Sequence, residues 1–231
     1  MCDNMNERMF IKGAVVEEPQ ITKGELTRQE LLAAAKRLFL SQGFTATPMR
    51  QIAHEVGITP GAIYNHYPGK DDLFTAVLQN AAPFDEVFAL WNNMEADSAE
   101  DLVRQMFRAS FAYATDHQDY LQLALIDAQE RDGVALAALL PDVLPRVQVW
   151  YERLVALEAE RGQARLRDIP FLVLVRTLLS LIVGFMLTQR VATPDRVPQT
   201  AGVDWAEALA DLFLYGVLRP PARDVEGATG T

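Results

Sequence analysis

The side chains with the most specific chemistry lie close together, between residues 47 and 70. They carry hydroxyl, guanidinium, amide, imidazole and ammonium groups: Thr47, Arg50, Tyr64, Asn65, His66 and Lys70. An ammonium, a phenol or an imidazole N–H can donate to a phosphate oxygen, whereas the Asn65 amide can make a paired contact with adenine. The Arg50 guanidinium could reach either. Packing alone does not require such a cluster, so this stretch is a candidate for binding double-stranded DNA.

The first element that must position this cluster is a helix of about four turns. Thr27 followed by Glu30 predicts a capping box at its start. Apolar residues recur behind this pair at helical spacing. Gly43 predicts the end of the helix, because glycine readily adopts the left-handed conformation that closes helices.

Two further short helices are predicted on either side of a three-residue turn. Thr47-Pro48 and Thr59-Pro60 each place a capping hydroxyl before a proline, which suits the first position of a helix. The turn over residues 57–59 contains a glycine. Two short helices that meet across such a turn form a helix-turn-helix, the unit that presents its second helix to the major groove.

The stretch from Thr27 to Leu73 resembles the DNA-binding domain of the tetracycline-repressor (TetR) family of bacterial transcriptional regulators. The positions that match the family pattern are Ala34, Ala35, Leu38, Phe39, Gly43, Phe44, Thr47, Ile52, Ala53, Gly57, Ile58, Thr59, Gly61, Ile63, Tyr64, His66, Tyr67, Lys70 and Leu73. This resemblance covers about a fifth of the chain. It implies a homodimer that binds an inverted-repeat operator.

The resemblance also implies a role for each matching position. Base edges would be faced by Thr59, Pro60, Ala62 and Asn65, phosphates would be held by Thr47, Tyr64, His66 and Lys70, and Arg50 could do either. Ala62 replaces a common Ser or Thr, and Pro60 replaces a common Lys or Arg, so the operator sequence stays open. Tyr64 and Tyr67 could instead be core aromatics, a role that fits Tyr67 better, and His66 could be a plain surface histidine.

The charge distribution agrees with this division of the chain, although the net charge is −10. Residues 22–70 hold six basic and three acidic side chains, a net +3, whereas the chain from residue 81 onward holds 13 arginines and 22 acidic residues. The positive field is therefore confined to the part expected to meet phosphate. So small a charge predicts salt-sensitive binding that relies on dimerisation for its strength.

The sequence predicts an all-α fold of 231 residues in which half of the residues are apolar. We expect a flexible arm over residues 1–22, a helix-turn-helix domain over 23–70, a helical ligand-binding and dimerisation domain over 71–220, and a disordered tail over 221–231. Cys2 is the sole cysteine and the N-terminal stretch lacks a long apolar core, which fits a cytoplasmic protein without disulfides.

Helix-breaking prolines and helix-capping residues divide the long helical region. Pro83 should kink or break a helix that begins near Asp71. Ser98 and Asp101 should start another helix, and a further helix should span residues 117–129. A helical stretch from residue 134 to 161 should be interrupted at Pro141 and Pro145.

The most apolar segment runs from Phe171 to Leu187. It has the lower-limit length for a membrane span but contains Arg176, which is costly in lipid. Burial between two subunits explains it better. With a last helix capped by Asp204 and Glu207, it should form the four-helix bundle of a homodimer, so we expect no contact with a membrane.

The resemblance implies a small-molecule effector, and several core-spaced residues could line its pocket. They are Met106, Phe107, Phe111, Tyr113, His117, Tyr120, Trp150 and Tyr151. Each could equally be a plain core residue. Arg104, Arg108 and Arg176 suggest an anionic ligand, yet pairing with the many carboxylates explains them more simply. The ligand class stays open.

An enzyme is the alternative from another class. The sequence has no HExxH, no GxSxG and no phosphate-cradling glycine loop, and it has only three histidines. We therefore expect no catalytic activity, no metal site and no cofactor. A helical small-molecule-binding or scaffold protein is the second alternative, and specific duplex binding would distinguish it from a DNA-binding regulator, most simply a repressor released by its effector.

Overall fold

The computed structural model describes residues 22–160, 169–189, 191–193 and 195–217. The α-helices in these ranges are α1 Lys23–Gln42, α2 Met49–Val56, α3 Lys70–Ala81, α4 Phe84–Asn92, α5 Ala99–Asp116, α6 Gln118–Glu130, α7 Val134–Ala137, α8 Leu140–Glu160, α9 Phe171–Thr188 and α10 Trp205–Val217. Short 3-10 helices span Ala62–Asn65 and Pro198–Thr200. The described residues contain no strand, so the all-α prediction is confirmed. The predicted tail and all but one residue of the predicted arm lie outside these ranges.

Helix α1 begins earlier than predicted. The Thr22 hydroxyl accepts from the Glu25 N–H at 3.2 Å, and the Glu25 carboxylate accepts from the Thr22 N–H at 2.9 Å. The predicted capping box at Thr27 is wrong, because Thr27 lies inside the helix and its hydroxyl donates to the Lys23 carbonyl. The sequence contains two Thr-x-x-Glu patterns, one at Thr22 and one at Thr27, and the helix starts at the first. Gly24 does not prevent this start, because it lies in the first turn, where N–H groups have no intrahelical partner.

The N-terminal core extends beyond the predicted domain boundary at Lys70. Leu31, Phe39 and Ile52 from α1 and α2 pack with Leu73 and Phe74 of α3 in one buried cluster. The same cluster includes buried residues from α6, α7 and the turn that follows: Leu123, Ala135 and Leu139. Helix α6 is therefore packed on the DNA-binding unit.

A second core holds the rest of the body. It is formed by α4, α5 and α8–α10, and its largest buried side chains include Trp91, Phe107, Trp150 and Phe213. A tilted aromatic contact connects α4 with α8, since the ring centroids of Trp91 and Trp150 lie 5.6 Å apart. Within α4, Trp91 also packs edge-to-face on Phe88 at 5.3 Å.

The helix boundaries follow most of the predicted signals. Pro83 breaks the chain between α3 and α4. The Ser98 hydroxyl caps α5 by accepting from the Asp101 N–H at 3.0 Å, and Asp204 caps α10 by accepting from the Glu207 N–H at 3.1 Å.

The proline interruption is misplaced, since the helical stretch breaks before Leu140 instead. Pro141 then lies in the first turn of α8, where a missing N–H costs nothing, and Pro145 is tolerated one turn further on.

Candidate nucleic-acid interface

The turn of the helix-turn-helix is built on Gly57. Its φ of 78° lies in the left-handed region, and its N–H donates to the His54 carbonyl at 3.1 Å. The next N–H, from Ile58, returns to the Ala53 carbonyl at 2.9 Å. These two bonds end α2 and redirect the chain, as the predicted motif requires.

The recognition segment is shorter than predicted. In place of an α-helix starting at Pro60, the structure has a turn followed by a single 3-10 turn over Ala62–Asn65. The Thr59 hydroxyl accepts from the Ala62 N–H at 3.3 Å, but the residue at the N-cap position is Gly61 and not the predicted Thr59. Gly61 and the nearby Pro68-Gly69 leave too few residues for a longer helix to propagate.

Most of the predicted DNA-contacting side chains lie at the surface. Arg50, Thr59, Pro60, Tyr64 and Asn65 are exposed, and Ala62 and His66 are half-buried. Tyr64 is 54% exposed, so it is not a core aromatic. Tyr67 is 2% exposed and packs in the core, as expected for that position.

Thr47 is the exception, because it is fully buried. Its hydroxyl donates to the Gly43 carbonyl at 2.7 Å and accepts from the Gln42 side-chain amide at 3.1 Å. It does not cap α2, which Pro48 precedes without a side-chain hydrogen bond. Thr47 thus ties the end of α1 to the start of α2, and a phosphate contact at this position stays a prediction.

Lys70 has internal partners as well as a surface position. Its ammonium donates to the Phe44 carbonyl at 2.8 Å and lies 4.2 Å from the centre of the Phe44 ring. A second carbonyl, that of Thr45, lies at 3.4 Å. An ammonium has three N–H donors, so one remains for a phosphate oxygen.

A buried ion pair, absent from the sequence-based predictions, joins α6 to the DNA-binding unit. Asp127 is fully buried and accepts from Arg131 at 2.7 Å and from the Leu136 N–H at 2.8 Å. The Arg131 guanidinium also lies 3.0 Å from the Asp71 carboxylate at the start of α3 and stacks over the Phe74 ring. The i, i+4 spacing of Asp127 and Arg131 was the one sequence signal for it.

Glu130 adds a second connection from α6, at the turn after α1. Its carboxylate accepts from the Thr45 N–H at 2.6 Å. That hydrogen bond, with a smaller contribution from the charge of Lys70, holds the pKa of Glu130 below its usual range. The turn that presents α2 is thus held from the body side of the molecule.

The residues predicted to line an effector pocket do not come together. Met106, Phe107 and Phe111 are buried in the body core, and His117 is exposed at the α5–α6 junction with its ring stacked on Tyr113. Of the five principal candidates, Trp150 lines a small cavity formed by α8, α9 and α10, and His117 lines a separate cleft at the surface.

Two of the three arginines suggested for an anionic ligand have carboxylate partners. Arg104 pairs with Glu100, Glu207 and Asp211, and Arg108 pairs with Glu207. Among the described residues, no group of three or more His, Cys, Asp or Glu could hold a metal ion.

The N-terminal unit is a helix-turn-helix DNA-binding domain. It has a buried core of three helices, a turn at a left-handed glycine, and exposed polar side chains at Arg50, Tyr64 and Asn65. Residues 31–77 match the family described as bacterial regulatory proteins, tetR family. The N-terminal unit is therefore similar to the DNA-binding domain of this family.

The curated relatives are similar over part of their length. The chain is 29% identical over 124 residues to the HTH-type transcriptional regulator HbdR of Aromatoleum sp. (strain CIB), covering 54% of this chain and 48% of that protein. It is 47% identical over 51 residues to AcrR of Shigella flexneri, covering 22% and 24%. It is 31% identical over 104 residues to the repressor KstR2 of Mycobacterium tuberculosis, covering 44% and 51%. The similarity thus spans about half or less of these proteins.

Solved structures resemble the whole described architecture. A tetR-family regulator from Shewanella sp. PV-4 superposes with a TM-score of 0.63 at 17% identity, covering 84% of this chain and 99% of that one. NalD of Pseudomonas aeruginosa, the secondary repressor of a multidrug efflux pump, superposes with a TM-score of 0.58 at 23% identity, covering 85% and 98%. At these identities the likeness concerns the fold.

Proposed function

We propose that the protein is a transcriptional regulator that binds an inverted-repeat DNA operator as a homodimer in the cytoplasm, and that it acts as a repressor released by a small-molecule effector. The observation that carries this proposal is the set of exposed polar side chains on α2 and on the recognition segment. Arg50, Tyr64 and Asn65 lie at the surface, where their polar groups can reach a duplex. A scaffold protein without a DNA role does not need them. Regulators and repressors among the relatives support the same function.

The outer face of α9 and α10 supports the dimer. Large apolar side chains stand exposed on it, including Leu172 at 63%, Leu212 at 65% and Tyr215 at 79%. An apolar surface of this size on a water-soluble domain marks a protein interface. A second copy of the same two helices would cover it through a two-fold axis.

Helix α9 is also the one helix in the described part of the chain that is long and apolar enough to cross a membrane. Arg176, with Thr177 and Ser180, is exposed on this helix. Lipid would leave that guanidinium without partners, whereas an interface between subunits can hydrate or pair it.

Sedimentation without detergent tests the dimer. Replacing Leu172 or Leu212 by Glu should convert the dimer to a monomer, because each places a charge in the interface. Leu90→Glu is the matched control, since Leu90 is 46% exposed on α4, away from α9 and α10. A monomeric wild-type protein, or one that needs detergent to stay in solution, would contradict the proposed dimer.

The DNA-binding role is tested by selecting duplexes from a random pool at two salt concentrations. A two-fold dimer should enrich two inverted half-sites separated by about one helical turn or a multiple of it. Asn65→Ala should relax the preference at one position of each half-site, whereas Lys70→Ala should weaken binding to all sequences alike. The charge-matched control is Arg108→Ala, because Arg108 is exposed on α5 in the body. Absence of any enriched repeat would refute the proposal.

A further inference from the structure

The positive side chains of α1 differ in whether an acid compensates them. Near the end of the helix, Lys36 pairs with Asp119 at 2.8 Å and Arg37 pairs with Glu55 at 3.3 Å. Near its start, Arg28 is exposed and has no ion pair with any residue in the part of the chain that the structure describes. Within that part, the uncompensated positive charge of α1 therefore lies toward the start of the helix.

The Arg28 side chain is supported by an aromatic ring. Its guanidinium lies over the Tyr67 ring, 4.8 Å from the ring centroid. Tyr67 is 2% exposed and belongs to the N-terminal core, so the ring is a fixed support. Burial raises the pKa of the Tyr67 phenol, which stays neutral and does not cancel the arginine charge. The contact restrains a long side chain and so lowers the conformational entropy that binding would cost.

This support places Arg28 beside the recognition segment. Tyr67 lies two residues after that segment, and its backbone N–H donates to the Ile63 carbonyl at 3.0 Å. The exposed Tyr64 and Asn65 belong to the same turn. Phosphates border both sides of the major groove, so a cation that flanks the segment in the groove faces a phosphate strand.

The chemistry of the contact leaves the guanidinium able to bind an anion. The ring covers one face of the planar group, whereas its N–H donors lie in the plane and point outward in a fork that matches two phosphate oxygens. The acid one helical turn before Arg28 is Glu25, and it already has partners. Its carboxylate accepts from the N–H and from the hydroxyl of Thr22, each at 2.9 Å.

We propose that Arg28 binds a phosphate of the DNA backbone, and that Tyr67 is the positioning residue that holds the guanidinium beside the recognition segment. The inference rests on the proposed function for the DNA, and on the contact between the two side chains for the residues. It adds a contact from α1 to those made by α2, the recognition segment and the start of α3.

The salt dependence of duplex binding by the full chain tests the phosphate contact. Each phosphate contact contributes about 0.9 to the slope of log affinity against log salt, so Arg28→Ala should lower the slope of a dimer by about 1.8. Relative to binding at 1 M salt, that change makes binding at 0.1 M about 60-fold weaker. Arg28→Lys keeps the charge and should keep most of the slope.

Arg37→Ala is the matched control on the same helix. It changes the net charge by the same amount, but Arg37 is already paired with Glu55, so the slope should change by less than about 0.5. Equal changes of slope in Arg28→Ala and Arg37→Ala would overturn the proposal, because the effect would then belong to the general field. A slope in Arg28→Lys as low as that in Arg28→Ala would overturn it as well.

A second duplex of scrambled sequence separates phosphate binding from base recognition. Arg28→Ala should weaken binding to the operator and to the scrambled duplex by the same factor, because phosphates carry no sequence information. Asn65→Ala should weaken binding to the operator alone. A changed base preference in Arg28→Ala would refute the phosphate assignment.

The positioning role of Tyr67 is tested in a double-mutant cycle on operator affinity. In Tyr67→Phe, which keeps the ring, Arg28→Ala should cause the same loss of affinity as in the wild-type protein. In Tyr67→Leu that loss should be about two- to fivefold smaller, the equivalent of one exposed cation–π contact. Tyr67→Met serves the same purpose if Tyr67→Leu does not fold. An equal loss in every background would refute the positioning role.

The outcome is separable from that of the proposed function. If the wild-type protein binds its operator with a steep salt dependence and Arg28→Ala leaves the slope unchanged, the assignment of Arg28 is wrong and the proposed function stands. If the wild-type protein binds neither the selected nor the scrambled duplex at low salt, both are wrong.

Discussion

Replacing Asp127 by Ala should destabilise the protein far more than any surface acid would. The substitution removes the carboxylate that accepts from Arg131 at 2.7 Å and from the backbone N–H groups of Ala135 and Leu136 at 3.2 and 2.8 Å. The Arg131 side chain is 3% exposed, so its charge would stay buried with only the exposed Asp71 as partner. Loss of one member of a buried pair costs about 3–5 kcal/mol, and because Asp71 remains we expect about 3 kcal/mol.

The assay is urea unfolding followed by circular dichroism, at one protomer concentration because a dimer's stability depends on it. A loss of about 3 kcal/mol corresponds to a fall of roughly 6–12 °C in melting temperature for a chain of this size. Asp119→Ala is the matched control on the same helix. Its carboxylate is 58% exposed and pairs with Lys36 at 2.8 Å, so its removal should cost less than about 1 kcal/mol. Equal effects of the two substitutions would refute the reasoning.

Three further changes test local features of the fold. Gly43→Ala should lower the free energy of unfolding by about 1–3 kcal/mol, because φ is 83° and a Cβ would lie 2.5 Å from a Glu130 carboxylate oxygen. In a Glu130→Ala background, the same substitution should cost less in urea unfolding. Because the pKa of Glu130 is lower in the folded protein than its ordinary value of 4.5, the ionised carboxylate stabilises the fold at pH values above 4.5. The wild-type protein should therefore be more stable than Glu130→Gln at pH 7, and this difference should shrink as the pH falls below 4.5. A difference that persists unchanged in acid would contradict this prediction. Ser98→Ala should lower the free energy of unfolding by about 1 kcal/mol, because α5 loses its cap. The control is Ser41→Ala, which removes an exposed hydroxyl and should change the free energy of unfolding by less than about 0.5 kcal/mol.

The sequence predicted well where the signal is local. Gly57 and the residues around it are enough to specify the turn of the helix-turn-helix, because two backbone hydrogen bonds within five residues close it. The caps at Ser98 and Asp204 were found for the same reason. Thr27 shows the limit of such signals, since an equally good pattern at Thr22 starts the helix five residues earlier than a cap at Thr27 would.

Side-chain environment was harder to predict than helix position. Thr47 stands between exposed neighbours in the sequence, yet its hydroxyl is enclosed by the Gly43 carbonyl and the Gln42 amide. Met106, Phe107 and Phe111 have the helical spacing of either a pocket or a core, and only the packing of α10 and α9 against α5 assigns them to the core.

The sequence by itself therefore determined most of the helices, the resemblance of the N-terminal unit to its family, the confinement of net positive charge to that unit, and the apolar character of α9. Each of these depends on residues within a few positions of one another or on composition. The tertiary structure alone decided that α6 packs with the DNA-binding unit, that Arg131 reaches Asp71 across 60 residues of chain, and that Trp150 borders a cavity. Such contacts depend on which helix faces meet, and no short-range pattern carries that information.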